Sequence, residues 1–385
     1  MNSILYTSEN CIIVKTDTGV DEYVSEKIEK YCNAIKAINR KNEWKTSGAG
    51  AKFMNAYAPE YDDAAAKRET SINGAAALGD EVVYSATMGE VSGLFRKTLD
   101  RNVAEGHIMS SRDIRIYRVS VFGDECAASV GNKQERHIAI FNIGSGQFRE
   151  LTEGEVREDY PCYSRDGLRI FYSSAGLALT HTGVPVGVGP YGVFSYSMTR
   201  NEMEEILASD KFDCIVPRED NDGSLLFIKR PYRNAADNGN ILLDILMFPV
   251  RIIRAIGGLL NFFSIAFGGE SLRSGRSAGD VKHKQMSEKD LFFDGNVINA
   301  QEMLRQNQRR GEKFPGIIPH SWELTRLNEN GDMHCIKKGV MDYTICRNGD
   351  IVYSNGNAVI RLLADGSEQL IEKRRMANNL IEMCV

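Results

Sequence analysis

Tryptophan and proline are scarce, at 2 and 9 residues in 385, and the eight cysteines (11, 32, 126, 162, 214, 335, 346, 384) never form a CxxC pair. Several sit in apolar runs, Cys11 in CIIV and Cys346 in YTIC. That pattern argues against a zinc ribbon or a disulfide framework and fits buried thiols in a reducing compartment, so the expected location is cytoplasmic. Basic excess is missing too. A net charge of −5 gives no field to hold phosphates, and no nucleic-acid partner is expected. The six histidines (107, 137, 181, 283, 320, 334) never fall at HxH or HxxxH spacing. His334 and Cys335 are adjacent, and a strand points neighbours to opposite faces, so they would not chelate together. No GxSxG nucleophile elbow occurs. GVGPYG (187–192) fits GxGxxG in form, but it leads into the strand-like YGVFSYS and not into a helix, which excludes a dinucleotide site. The opening MNSILYTSENCIIVKTD lacks a positive leader and a long apolar core, so no export signal is expected.

What is present is a repeat. GDIVYSNGNAVIRLLADGSEQLIEK (349–373) and NSILYTSENCIIVKTDTGVDEYVSEK (2–27) share one plan. A short apolar strand ends in Tyr-Ser/Thr, a polar turn and second strand follow, and a Gly turn leads to a third strand running into Glu-Lys. Related units begin at GDEVVYSATMGEVSGLFRKTLDRN (79–102), HIAIFNIGSGQFRELTEG (137–154), RDGLRIFYSS (165–174) and NDGSLLFIKRP (221–231). With strands labelled A to D, the A–B turns fall at Gly79-Asp80, Gly123-Asp124, Asp166-Gly167, Asp222-Gly223 and Gly349-Asp350. These are hairpin signals. A sixth unit would join the chain ends, NNLIEMCV supplying strand A and the first residues strand B. Removing insertions at 28–70 and 231–320 leaves about 250 residues, ~42 per unit, which suits a four-stranded blade. The expected fold is all-β: a single six-bladed β-propeller over 1–385, closed by its N- and C-terminal strands, with helical insertions on one face.

DYPCYSRDGLRIFYSS (159–174) resembles the blade signature of the TolB-like propeller family (WD-like β-propeller repeats), in which a Pro, a Ser-Pro-Asp-Gly turn and an Ile-x-Phe-x-Ser strand follow in order. Arg165 replaces the second Pro, and the other units keep only the turn and strand. The resemblance implies a protein-binding propeller. The family's export signal and extra N-terminal domain are not expected in this chain.

In an antiparallel blade the B–C and D–A connections share one face, and every long connection here is of those kinds. They include 28–70, where Val24, Ile28, Tyr31, Ile35 and Ile38 recur at helical spacing, GLALTHTGVPVGVGP (176–190), and the block 231–320, in which Asn296–Arg310 is expected to form a short helix. The same face receives each strand A. Asp159 and Asp342 share a register there, with Asp213 close to it, so the three carboxylates are a candidate site for a divalent cation or a basic group of a partner. Gluconolactonase-type propellers carry a metal at such a mouth, and a metal-dependent, lactonase-like hydrolase is the alternative reading. In the plainer reading each Asp makes a local side-chain to backbone bond.

The block 231–320 also contains NILLDILMFPVRIIRAIGGLLNFFSIAFGG (240–269). Burying each large apolar side chain contributes roughly 1.5–3 kcal/mol, so this stretch needs a cover. A single membrane pass would separate strands of one blade across the bilayer and would bury Arg251 and Arg254 at about 2.5–3.5 kcal/mol each. An amphipathic helix over 241–267 remains, its docking residues Ile245, Phe248, Arg251, Ile252, Arg254, Ile256, Leu259, Leu260, Phe263 and Phe267. Arg273, Arg276, Lys282 and Lys284 follow, as in a peripheral anchor on an anionic leaflet. The helix's own propeller and a protein partner are the other possible covers. The expected function is a non-enzymatic scaffold that needs no cofactor and engages a protein partner and, peripherally, a membrane.

Overall fold

The computed structural model describes residues 2–46, 69–183, 185–232, 290–293, 296–328 and 330–384, which fold mainly as antiparallel sheet. The chain divides into two compact units, Met1–Asn132 with Ala139–Arg149 and Asn379–Val385, and Lys133–Ile138 with Glu150–Asn378.

The first unit contains β1 (Asn2–Ser8), β2 (Cys11–Lys15) and β3 (Val20–Val24), then β4 (Thr70–Leu78), β5 (Glu81–Met88), β6 (Val91–Thr98) and β7 (Gly106–Ser111), and β8 (Arg115–Phe122), β9 (Glu125–Gly131), β10 (Arg136–Asn142) from Ala139 onward and β11 (Phe148–Glu150) as far as Arg149. Middle strands pack on both faces and so read as continuous apolar or small runs. Six consecutive residues of β5 are buried, whereas the outer β3 buries only Tyr23. The last strand of the chain, β27 (Asn378–Cys384), completes the first sheet in the order β27-β1-β2-β3, the union of both chain ends expected from the sequence. Asn379 fastens it, donating to Thr7 Oγ1 at 2.7 Å and accepting from Arg118 at 2.6 Å.

In the second unit are β12 (Val156–Tyr163), β13 (Arg169–Leu179), β14 (Pro185–Val188), β15 (Gly192–Ser197) and β16 (Glu202–Leu207). They are followed by β17 (Phe212–Glu219), β18 (Leu225–Pro231), β21 (Glu323–Leu327) and β22 (Met333–Lys338), and by β23 (Asp342–Ile345), β24 (Ile351–Ser354), β25 (Val359–Leu362) and β26 (Glu368–Glu372). The last two groups are four-stranded sheets, and Arg136, at the start of β10, pairs in parallel with Arg157 of β12. All five A–B turns lie between strands as the sequence placed them. The stretch 176–190, expected as a loop, instead extends β13 into a hairpin with β14, Leu177 opposite Val188.

Helix α1 (Glu26–Thr46) follows β3, with a narrower apolar face than the spacing suggested. Ile28 and Cys32 are buried beside Leu5 and Tyr84, with Tyr31 and Ile35 against them. Val24 belongs to β3 and is 46% exposed, and Ile38 is 51% exposed. Ser25 caps the helix through Ile28 N–H at 3.3 Å and shares a 2.8 Å bond with the Tyr84 hydroxyl, while Glu105 accepts from Lys27 N–H at 3.2 Å. The helix rests on the β5–β6 turn, where Gly89 has φ +60° and a methyl group would meet the Tyr31 hydroxyl. Gly89→Ala is therefore expected to destabilise the protein by about 1–2 kcal/mol, mostly through its left-handed backbone, as read by chemical denaturation. An unchanged midpoint would mean that helix and turn are not in register.

Candidate functional site

Strands β12, β17 and β23 of the second unit place the three candidate carboxylates. Asp159 on β12 lies opposite Ser173, and Asp342 on β23 lies opposite Ser354. Ser173 is four residues beyond Arg169 and Ser354 four beyond Asp350, the residues whose carbonyls close the two A–B turns, so both aspartates hold one register. Asp213 on β17 lies opposite Arg230, while its neighbour Ile215 takes the equivalent register opposite Ile228.

Two of these strands are bent at the same place. Register shifts fall between Asp159 and Cys162 and between Ile215 and Arg218. Within them Tyr160 and Val216 have φ of +59° and +57°, each just before a proline. A positive φ on a β-branched residue is a strained conformation that persists only when its surroundings impose it. Here the Val216 carbonyl accepts a 2.8 Å bond from the Tyr343 hydroxyl. The bend turns Arg218 over the Tyr343 ring, 5.7 Å from its centroid, and toward Asp342 at 4.0 Å.

Each carboxylate thus meets a guanidinium. Asp159 Oδ2 is 2.5 Å from Arg136 and 3.6 Å from Arg157. Asp213 is 3.0 Å from Arg230, itself stacked 4.8 Å above Trp322, and accepts from Tyr191 N–H at 3.1 Å. Asp342 also makes the local bond, accepting from Tyr343 N–H at 2.8 Å. Burial nevertheless raises the Asp213 carboxyl above its usual range, outweighing the attraction of Arg230. Among the described residues no group of three or more His, Cys, Asp or Glu side chains is arranged to hold a metal ion.

Glu158, on the other face of β12, is a residue that sequence reasoning missed. Its carboxyl accepts from Thr152 Oγ1 and, at 3.3 Å, from Ser174, while Thr152 Oγ1 receives Ile138 N–H at 2.8 Å. Complete burial pushes it up to about 7, against which these bonds work only in part. Nothing in REDYP distinguishes a carboxyl sealed among hydroxyls from one in solvent.

The docking residues from Ile245 to Phe267 lie outside the described residues, and among the described ones no helix is long and apolar enough to cross a membrane. The root of their insertion is built firmly. On the outgoing side Tyr232 donates to Val188 O at 2.7 Å. On the return, β19 (Asp290–Phe293) and β20 (Asn296–Asn299) form a hairpin where the sequence suggested the start of a helix, and α2 (Ala300–Arg309) follows. The Asn299 side chain caps α2 by accepting Glu302 N–H at 3.0 Å, and Gly311 at φ +78° ends it. Buried Asn307 donates to Gly316 O at 2.9 Å and Ile318 O at 3.2 Å. The strap that follows is held by the β24–β25 turn, through Asn355 to Phe314 O at 2.8 Å and Asn357 to Pro315 O at 3.0 Å.

The sequence matches no family model and no curated protein. Among solved structures it is similar to TolB from Acinetobacter baumannii, with a TM-score of 0.52 at 9% identity over 99% of this chain and 66% of that one. This chain thus spans just under two thirds of that protein's length. Similarity to a chain of a nidogen/laminin complex has a TM-score of 0.49 at 8% identity over 100% of both chains. For a putative TolB from Agrobacterium tumefaciens the TM-score is 0.37 at 16% identity, over 60% of this chain and 66% of that one. With its succession of antiparallel sheets, the chain has the β-propeller fold of TolB-like proteins.

Proposed function

We propose that this chain is a non-enzymatic, cytoplasmic β-propeller scaffold of six blades, closed by the β27-β1-β2-β3 sheet, and that it uses the insertion between β18 and β21 to dock on a membrane surface or a protein partner. One observation carries this reading: the insertion returns through a capped helix and a strap tied to another blade, so it is a mounted element. The metal-hydrolase alternative gains no support, because each of Asp159, Asp213 and Asp342 would have to give up an arginine to take a cation.

The test is co-sedimentation of the full-length protein, and of a variant with residues 240–290 replaced by a short Gly-Ser loop, with neutral and anionic vesicles at low and high salt. Circular dichroism checks that both are folded. Binding that requires the segment and anionic lipid is the expected result. If the folded full-length protein stays in the supernatant with every vesicle, the membrane part of the proposal is lost and the segment is covered by protein. If the replacement also leaves every protein association unchanged, the scaffold role of the insertion is lost as well.

A further inference from the structure

The overall charge is negative, yet one region of the second unit is strongly basic. On α2, Ala300, Met303, Leu304 and Asn307 face the core. Arg305 and Arg309, one turn apart, lie on the opposite, exposed face, and Arg310 and Lys313 continue the exposed run into the strap. The strap's attachment at Asn355 and Asn357 brings in a second basic segment. Met376 N–H donates to Gly356 O at 3.0 Å, in the same β24–β25 turn, so the loop carrying exposed Lys373 and Arg375 meets that turn. Lys313 Nζ reaches Glu368 O at 2.8 Å on β26, the strand leading into that loop.

The neighbouring acids are mostly engaged. Glu312 holds His320 and Glu368 holds Lys337, and only Glu302 stands exposed on α2, where it accepts from Gln306. We infer that Arg305, Arg309, Arg310, Lys313, Lys373 and Arg375 form a preordered electrostatic footprint for an anionic lipid leaflet. This deepens the membrane reading proposed above and rests on it. Two features favour lipid over an acidic protein. The cations are spread along a helix, a strap and a loop and are not gathered around one pocket, and Arg305, Arg309, Arg310 and Lys313 lie on the return limb of the insertion that carries the apolar stretch. Basic residues beside an apolar anchor add to lipid affinity individually, and salt weakens that addition.

The test measures binding of the full chain to vesicles of phosphatidylcholine alone and of phosphatidylcholine with phosphatidylserine. Arg305→Gln/Arg309→Gln/Lys373→Gln/Arg375→Gln is compared with a control that removes as many charges from α1, Lys30→Gln/Lys36→Gln/Arg40→Gln/Lys41→Gln. The first variant is expected to bind anionic vesicles at least about tenfold more weakly, from several-fold per basic residue, with the difference vanishing at high salt. The α1 control should stay close to wild type. If wild type binds and the first variant binds as well, or both variants weaken equally, the footprint is wrong and the membrane reading survives. If wild type binds no vesicle, both fall, and retention on immobilised polyglutamate would then mark the patch as a site for acidic protein.

Discussion

Asp213→Asn is expected to destabilise the second unit by about 3–5 kcal/mol, and Arg230→Met by a similar amount, while the two together cost far less than their sum. Asp213 and Arg230 are only 5% and 3% exposed and 3.0 Å apart. Asparagine can still accept Tyr191 N–H, so the single change mainly leaves Arg230 in the interior without its carboxylate. Burial raises the Asp213 carboxyl despite the guanidinium, so desolvation of the carboxylate outweighs what Arg230 returns. Replacing both charges removes that cost, and methionine can keep the contact that Arg230 makes with Trp322. Urea denaturation of the four proteins in a double-mutant cycle gives the coupling. Additive effects would mean that the two side chains act separately and that the buried pair is not a unit.

The second large effect concerns pH. The Glu158 carboxyl titrates at about 7 in the folded protein and near its ordinary 4.5 when unfolded, so between those values the native state binds more protons than the unfolded one. Stability contributed by this group is greatest at the acid end of the window, falls as pH rises toward 7 and is flat above it. The full swing is ~3 kcal/mol. Other carboxyls titrate in the same range, so the informative quantity is the difference between wild type and Glu158→Gln. The variant should gain on wild type steadily from pH 5 to about 7. Parallel stability profiles would show that the carboxyl is ionised throughout and that its surroundings are more polar than Thr152 and Ser174 suggest.

These two predictions rest on groups of unequal legibility. The turns at Gly79-Asp80 through Gly349-Asp350 were readable because a hairpin needs particular residues at fixed positions, and alternation and Gly-Asp pairs are local properties. The shared register of Asp159 and Asp342 was readable for the same reason, since it is a count from a turn. Their partners were not. Arg136 comes from β10 to Asp159 and Arg218 from β17 to Asp342, and no spacing in the sequence encodes which strand lies alongside which. Local pattern also misled where chain geometry is permissive. GLALTHTGVPVGVGP has the glycines of a loop, yet its backbone pairs as the β13–β14 hairpin. Val24 fits the period of α1 but precedes Ser25, the residue that caps the helix.

The sheet that unites β27 with β1 has a consequence for how the molecule is made. β1 and β2 can form their hairpin as soon as they are made, but β27, which covers the free edge of β1, follows only after the strands of the other described sheets. Until β27 emerges, that edge offers an unpaired ladder of amides and carbonyls to any neighbouring nascent chain, and covering it requires contacts between segments far apart in sequence. Completion of this sheet therefore waits for β27. Inserting a bulky domain directly after β27 should lower soluble yield more than the same insertion in the connection after α1.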